Sequence, residues 1–473
     1  MKIGFLAMSG IRAHDPELLK LGLTLPGFVE RSKAIASLPS LGLLYLAAVT
    51  PAGHELEYFE AEADGKESVA LYDCDLVAIS TFSAQVFEAY AIADRLRLAG
   101  VKVALGGLHV TALPAEAFAH ADYVVTGEGE NVWPEVVRSA ERDAPPRTFA
   151  AQMYPAVDVT RLPVPRYDLL GVRTGESMWE RRHSPQPVAA GTPLPQQPPA
   201  IRYNRFTVQT TRGCPWRCEF CASNVMLGQP YRKRPVWDVV RDIGTIQQVR
   251  ERPFIEFADD NTFVDKTWGK QLCRALAPLH LKWFTETDIS VAEDGELLEL
   301  MHAAGCRQIL IGLESPNASP LHGLEMKADF KARWFTRYAN AIERIQSHGI
   351  TVNGCFILGL DGHDTGIFEQ VLDFARQVSL YDVQITVLTA FPGTPLYARL
   401  LREGRVIEPG RWDLCTLFDV NYRPVGMSAD ELRAGMRWLT ERLYNDECTQ
   451  ARRAGFLSSF RRATGTELQT KAA

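Results

Sequence analysis

The sequence predicts an α/β fold in two parts: a Rossmann-like, doubly wound parallel sheet over residues 1–150 and a partial (β/α)6 TIM barrel over 205–390, followed by a mostly helical region at 391–473. Three observations carry this. Short apolar runs alternate with helix-length patterns in both parts, as in parallel sheets covered by helices. Six prolines crowd into residues 185–199 and mark 151–204 as an extended linker. The second part holds six strand–helix units, short of the eight that close a barrel.

The elements follow in order. Strands are expected at Lys2–Met8, Leu76–Thr81, Val101–Leu105 and Tyr123–Val125, with helices at Leu41–Val49 and Ala84–Leu98. Barrel strands are expected at Phe206–Thr211, Phe254–Ala258, Lys282–Thr287, Gln308–Leu313, Thr351–Leu358 and Val383–Leu388. In Val236–Val249 the apolar residues fall on one helical face. Ligands of open parallel sheets bind beyond the carboxyl ends of the strands. In the first part those ends are Ser80 and Thr81, Gly106 to His109, and Gly127 to Glu130.

Composition narrows the function. Acidic residues outnumber basic ones, 57 to 51, for a net charge of −6, so no nucleic-acid partner is expected. No apolar run reaches the roughly 18 residues a membrane span needs. The first residues, MKIGFLAMSGIRAHD, lack the features of a secretory signal, and a cytoplasmic location is expected. Nine cysteines then favour metal binding over disulfides.

Cys214, Cys218 and Cys221 lie in TTRGCPWRCEFCASN, a C-x3-C-x2-C loop directly after a strand. Three thiolates on one loop can hold three irons of a 4Fe–4S cubane and leave the fourth open to a cofactor. The alternatives are a zinc loop or unpaired core cysteines. Zinc usually takes four ligands in paired spacings, and no fourth is nearby. Cysteines 74, 306, 355, 415 and 448 read as small core residues.

The loop resembles that of the radical S-adenosylmethionine (SAM) superfamily. That resemblance implies SAM chelated at the open iron, cleaved reductively to a carbon radical, with Phe220 packed near the adenine. Later strand ends match the same family in order: Glu256 and Asp259 after the second strand, Glu286 after the third, and Gly312, Glu314 and Ser315 after the fourth. These are the expected SAM contacts.

Residues 106–114 and 126–134, with SLGLLYLAA at 40–48 and LPVPRYDLL at 162–170, resemble the cobalamin-binding domain found before many such barrels. Ser80, Thr81, Gly106, Gly107, His109, Gly127, Glu128, Gly129 and Glu130 are the expected cobalamin contacts, and Gly107 and Gly129 should tolerate no bulky side chain. The D-x-H-x-x-G pattern that supplies a histidine below cobalt is absent after the first strand. DGHDTG at 361–366 matches it in the wrong domain, and His363 reads as a solvated loop residue. No histidine on cobalt is expected; His109 is the fallback candidate and otherwise reads as a loop-capping residue.

The two-domain layout is similar to cobalamin-dependent radical SAM methylases such as the hopanoid and bacteriochlorophyll methylases. It implies methyl transfer to an unactivated carbon of a small-molecule, lipid or natural-product substrate, with a flavodoxin or ferredoxin as electron donor. Oxidative cyclisation or rearrangement needs the same two sites and stays open. A methylthiotransferase would need three further N-terminal cysteines, and the first 200 residues hold only Cys74. A non-catalytic cobalamin carrier leaves the cysteine loop unexplained. Arg452, Arg453, Arg461 and Arg462 read as a solvated helix face. Glu286, Asp288, Thr389 and Tyr231 are polar candidates for the barrel interior.

Overall fold

The computed structural model describes all residues except 9, 11–12, 22–37, 62–66, 171–202, 204, 229 and 465–473. The first sheet has six parallel strands: β1 (Lys2–Ala7), β2 (Glu55–Glu60), β3 (Leu76–Ser80), β4 (Lys102–Gly106), β5 (Tyr123–Thr126) and β6 (Arg147–Ala150). Their order is β2-β1-β3-β4-β5-β6. Two apolar clusters cover its two faces, one around Leu6, Ile79 and Leu105, the other around Phe5, Ala78 and Trp133.

The second sheet is also parallel and six-stranded: β7 (Arg205–Val208), β10 (Phe254–Phe257), β11 (Lys282–Glu286), β12 (Cys306–Glu314), β13 (Thr351–Leu358) and β14 (Asp382–Val387), in order along the sheet. The first and last strands do not pair, so the barrel is open. A two-residue antiparallel ribbon, β8 (Thr211–Arg212) with β9 (Arg232–Lys233), frames the cysteine loop.

Strands β2 and β6 are absent from the sequence-based assignment. Glu55–Glu60 places three glutamates among Leu56, Tyr58 and Phe59, and Arg147–Ala150 begins with two exposed residues. Both are edge strands, where half-polar sequence is tolerated. Part of the expected linker is packed structure: Tyr167 is fully buried and its hydroxyl donates to the Thr207 carbonyl at 2.8 Å. The proline-rich stretch 185–199 lies outside the described residues. Among the described residues no helix is long and apolar enough to cross a membrane.

The arginine tail departs from a solvated face at Arg452, which is 2 % exposed. Its guanidinium donates to the carbonyls of Leu380 and Leu443, tying the last helix to the barrel floor.

Candidate functional site

The cysteine loop leaves β8 through Gly213, at φ +82°. A Cβ there would lie 3.0 Å from the Pro230 carbonyl oxygen, so the turn admits only glycine. Asp259 organises the approach. Its Oδ1 accepts the amides of Thr210 and Thr211 at 2.8 and 2.9 Å, and its Oδ2 accepts the Thr210 and Thr262 hydroxyls. With both oxygens occupied, Asp259 positions the loop rather than reaching a cofactor.

Glu325 holds the far side, with no signal in the sequence to announce it. It is 1 % exposed and accepts the amides of Arg217, Lys327 and Ala328. Trp216 stacks on Phe330 with centroids 4.2 Å apart. Glu219 is held by Arg399 at 2.7 Å, and Phe220 packs half-buried on the barrel core.

Burial raises all three thiols, Cys214 to about 12, and Cys214 and Cys218 each feel further repulsion from a neighbouring thiolate. Such a group is stable as thiolates only when cations hold it. Among the described residues no three His, Cys, Asp or Glu side chains converge as ligands of one ion. A cubane makes a different demand, since each thiolate meets its own iron. Asp260 stands alongside with its Oδ2 buried and without a hydrogen-bond partner. The donor set fits an iron–sulfur cubane.

At the end of β12, Glu314 sits at φ +64°, a costly backbone for a non-glycine residue. Its carboxylate pairs with Lys331 Nζ at 2.8 Å, and Lys331 also donates to the Gly312 carbonyl. Lys331, absent from the sequence reasoning, lowers the Cys218 thiol against its burial. Ser315 is fully buried and shares a hydrogen bond of 3.0 Å with His363 Nε2. His363 is therefore not a solvated loop residue. It is 2 % exposed, and its Nδ1 accepts the Leu360 amide.

A cavity of about 590 Å³ lies between the carboxyl edge of the first sheet and the barrel. Ser80, Thr81, Gly106, Gly107, Gly127, Gly129 and Glu130 line it with Tyr45 and Trp133, and the barrel contributes Thr207, Gln209, Arg212, Met226 and Leu227. The volume is within the range of small-molecule sites. The Tyr45 hydroxyl is buried on its wall without a partner. Glycines at the strand ends and an unmatched hydroxyl suit a bulky polar-edged ligand such as a corrin.

Two expected contacts do not reach this cavity. His109 is fully buried, shares hydrogen bonds with Ser83 Oγ (3.1 Å) and Glu116 (3.2 Å), and abuts Trp412. Glu128 is taken up by two arginines: Arg212 NH1 at 2.7 Å and Arg232 at 2.8 Å. Glu130 borders the cavity with its Oε1 held by Arg212 at 2.7 Å. No histidine is among the described lining residues.

The fold and loop define a two-domain α/β protein whose three-cysteine loop is flanked by Arg212, Met226 and Leu227 of the cavity wall. Comparison with known families gives the class: residues 32–137 match the B12 binding domain and residues 208–375 the radical SAM superfamily. The chain is a radical SAM enzyme with a B12-binding domain, homologous to the cobalamin-dependent radical SAM methyltransferases. It is 25% identical over 390 residues to the bacteriochlorophyllide d C-12(1)-methyltransferase of Chlorobaculum tepidum, covering 80% of this chain and 77% of that one. It is 24% identical to the hopanoid C-2 methylase of Rhodopseudomonas palustris, covering 79% of this chain and 66% of that one. The fold matches the radical SAM methyltransferase TsrM of Kitasatospora setae, solved with cobalamin and a 4Fe–4S cluster, with a TM-score of 0.60 at 15% identity, over 98% of this chain and 99% of that one. Its cofactors are accordingly a 4Fe–4S cluster, SAM and cobalamin.

Proposed function

We propose that this chain methylates an unactivated carbon of a small-molecule substrate held in the barrel lumen, below the cysteine loop. One observation carries the reading: Arg212, two residues from Cys214, forms part of the wall of the cavity on the first sheet. The two cofactor sites therefore share a wall rather than lying in independent domains. When bound, the cluster with SAM supplies a carbon radical, and cobalamin supplies the methyl group.

The chain's own residues do the rest. Cys214, Cys218 and Cys221 hold the cluster, and Glu325 and Asp259 fix their loop. Glu314 and Lys331 present a paired carboxylate and ammonium beside Gly312 for SAM. Phe220, half-buried beside Cys221, offers an aromatic edge for its adenine. Residues of both domains enclose the site and keep water from the reacting carbon. A small flavoprotein or ferredoxin supplies the electron.

The test is anaerobic reconstitution with iron, sulfide and hydroxocobalamin in the presence of a thiol reductant, which supplies the one electron that takes cobalt(III) to cobalt(II). The expected product is bound cob(II)alamin whose EPR spectrum lacks superhyperfine splitting from a nitrogen ligand. With SAM and a reductant, 5′-deoxyadenosine should form. Failure to bind cobalamin, or to cleave SAM, overturns the reading.

A further inference from the structure

The lumen of the barrel carries polar side chains that nothing in the protein satisfies. On β13, Val352 and Phe356 are fully buried against the helices, so Asn353 and Cys355 face the other way, into the lumen. The register places Glu286, Leu310 and Asn353 in one row across β11, β12 and β13. Cys355 and Gln384 are partners in the row above, and Glu256 opposite Phe284 lies in the row below.

Asn353 has no exposed surface, and neither its amide nitrogen nor its amide oxygen has a hydrogen-bond partner. Gln384 is 8 % exposed with an unpartnered Oε1. Glu256 adds an unpartnered Oε2. Buried amides are ordinarily paired, so two beside each other on one inner face point to a ligand that completes them. Glu286 keeps accessible surface at the carboxyl end of β11, on the same face of the strand as Phe284.

Charge narrows the ligand. Burial pushes Glu256 up to about 7 against the attraction of Arg205, and burial with Glu256, Asp260 and Asp259 pushes Glu286 up to about 8. Of the other charged groups nearby, Lys331 is paired with Glu314 and Asp382 with Arg453, Arg205 attracts Glu256, and Asp260, whose Oδ1 accepts the Ser223 hydroxyl, adds a further carboxyl beside Glu286. Two enclosed carboxyls held largely protonated near neutral pH ionise most readily beside a cation, so a cationic substrate is favoured over an anionic one, and a pure hydrocarbon would leave both amides unmatched.

We propose that the lumen takes a small molecule bearing a protonated amine, held between Glu256 and Glu286, with a second polar group reading Asn353 and Gln384. This rests on the lumen being the substrate site, as above, and assigns Glu256 and Glu286 to the substrate in place of the SAM contacts that the family resemblance implies for them.

The test uses anaerobic holoenzyme with SAM and three probes: cyclohexylamine, cyclohexanol and cyclohexanecarboxylate. Calorimetry near pH 7, in two buffers of different ionisation enthalpy, reads both affinity and proton release. The amine is expected to bind at least about tenfold tighter than the carboxylate and to release a proton as the glutamates ionise. Glu286→Gln should weaken amine binding about tenfold and suppress the proton release, with the cluster's visible absorption retained as the folding control. Equal binding of the alcohol or carboxylate, no binding of the amine, or wild-type affinity in the Glu256→Gln, Glu286→Gln double variant overturns the proposal. Loss of SAM cleavage in the wild type would instead overturn the proposed function.

Discussion

Arg212 donates to Glu130 Oε1 at 2.7 Å across the boundary between the two sheets, and the same guanidinium holds Glu128 at 2.7 Å. Arg212 is 5 % exposed. It sits directly opposite Arg232 in the β8–β9 ribbon, an arrangement of like charges that only Glu128, bound to both, makes tolerable. The B12-domain strand end and the cluster loop are thus joined by one ion network. Arg212→Ala leaves the enclosed Glu130 without its cation, beside a Glu128 that keeps only Arg232, at a cost of about 3–5 kcal/mol. Thermal melting should show the loss, and both cobalamin and iron content should fall together. Arg212→Lys should recover only part, because one ammonium cannot bridge two carboxylates in the same geometry. Normal loading of either cofactor in Arg212→Ala would show that the domains are not coupled there.

His363 gives a pH dependence. Burial lowers it from its ordinary range to about 4. It is held neutral, accepting at Nδ1 from Leu360 and therefore donating from Nε2 to Ser315. A histidine depressed on folding takes up its proton first in the unfolded chain, so its contribution is present above about pH 6.5 and is lost as pH falls towards 4, on the order of 3 kcal/mol. Denaturant unfolding from pH 7 to 4.5 should show this loss in the wild type. His363→Asn, which cannot titrate, should flatten that part of the profile. Parallel profiles for the two proteins would mean His363 charges freely.

Much of this was legible in the sequence. The six barrel strands were predicted to within two or three residues at either end, because each is a short run rich in β-branched or aromatic residues. The cysteine spacing announced the cluster loop. What stayed hidden was tertiary. DGHDTG reads as a loop, and only the approach of Ser315 from another strand end buries His363. GEGE reads as ligand-binding, and only the neighbouring Arg212 and Arg232 show that Glu128 is already engaged. Glu325 and Lys331 lie in an undistinguished stretch, brought to the cysteines by pairing between Cys218 and Glu325.

The cluster loop separates ligation from support. Replacing Cys214, Cys218 and Cys221 together with alanine should abolish iron binding and SAM cleavage. Glu325→Gln should do less. It keeps the shape but halves the oxygen acceptors that meet four backbone amides, those of Arg217, Lys327, Ala328 and Phe330, at about 1–3 kcal/mol for the unsatisfied donors. The loop then loosens without losing a ligand. Iron content should be near normal after reconstitution, while release to a chelator should quicken severalfold. Iron retained in the triple variant would remove the basis for the cluster assignment.

Gly107 and Gly129, alike in sequence as strand-end glycines, should respond differently. At Gly107, φ is +103° and a Cβ would stand 2.7 Å from the Thr81 carbonyl oxygen and 2.9 Å from its amide nitrogen, both backbone atoms that cannot step aside. Gly107→Val therefore strains the sheet itself, at about 3 kcal/mol or more, and should lower the melting temperature along with cobalamin binding. At Gly129 the backbone is unstrained, and a Cβ meets two side-chain ends on the cavity wall, Leu46 at 3.2 Å and Val125 at 3.8 Å. Gly129→Val pushes its methyl groups into the cavity with little cost to folding. It should weaken cobalamin binding about tenfold or more while keeping iron content and melting temperature near wild type. Spectrophotometric cobalamin titration alongside thermal melting reads both. If Gly129→Val binds cobalamin normally, the corrin does not use this wall. If Gly107→Val melts like the wild type, the turn at Thr81 is less tightly drawn than its contacts require.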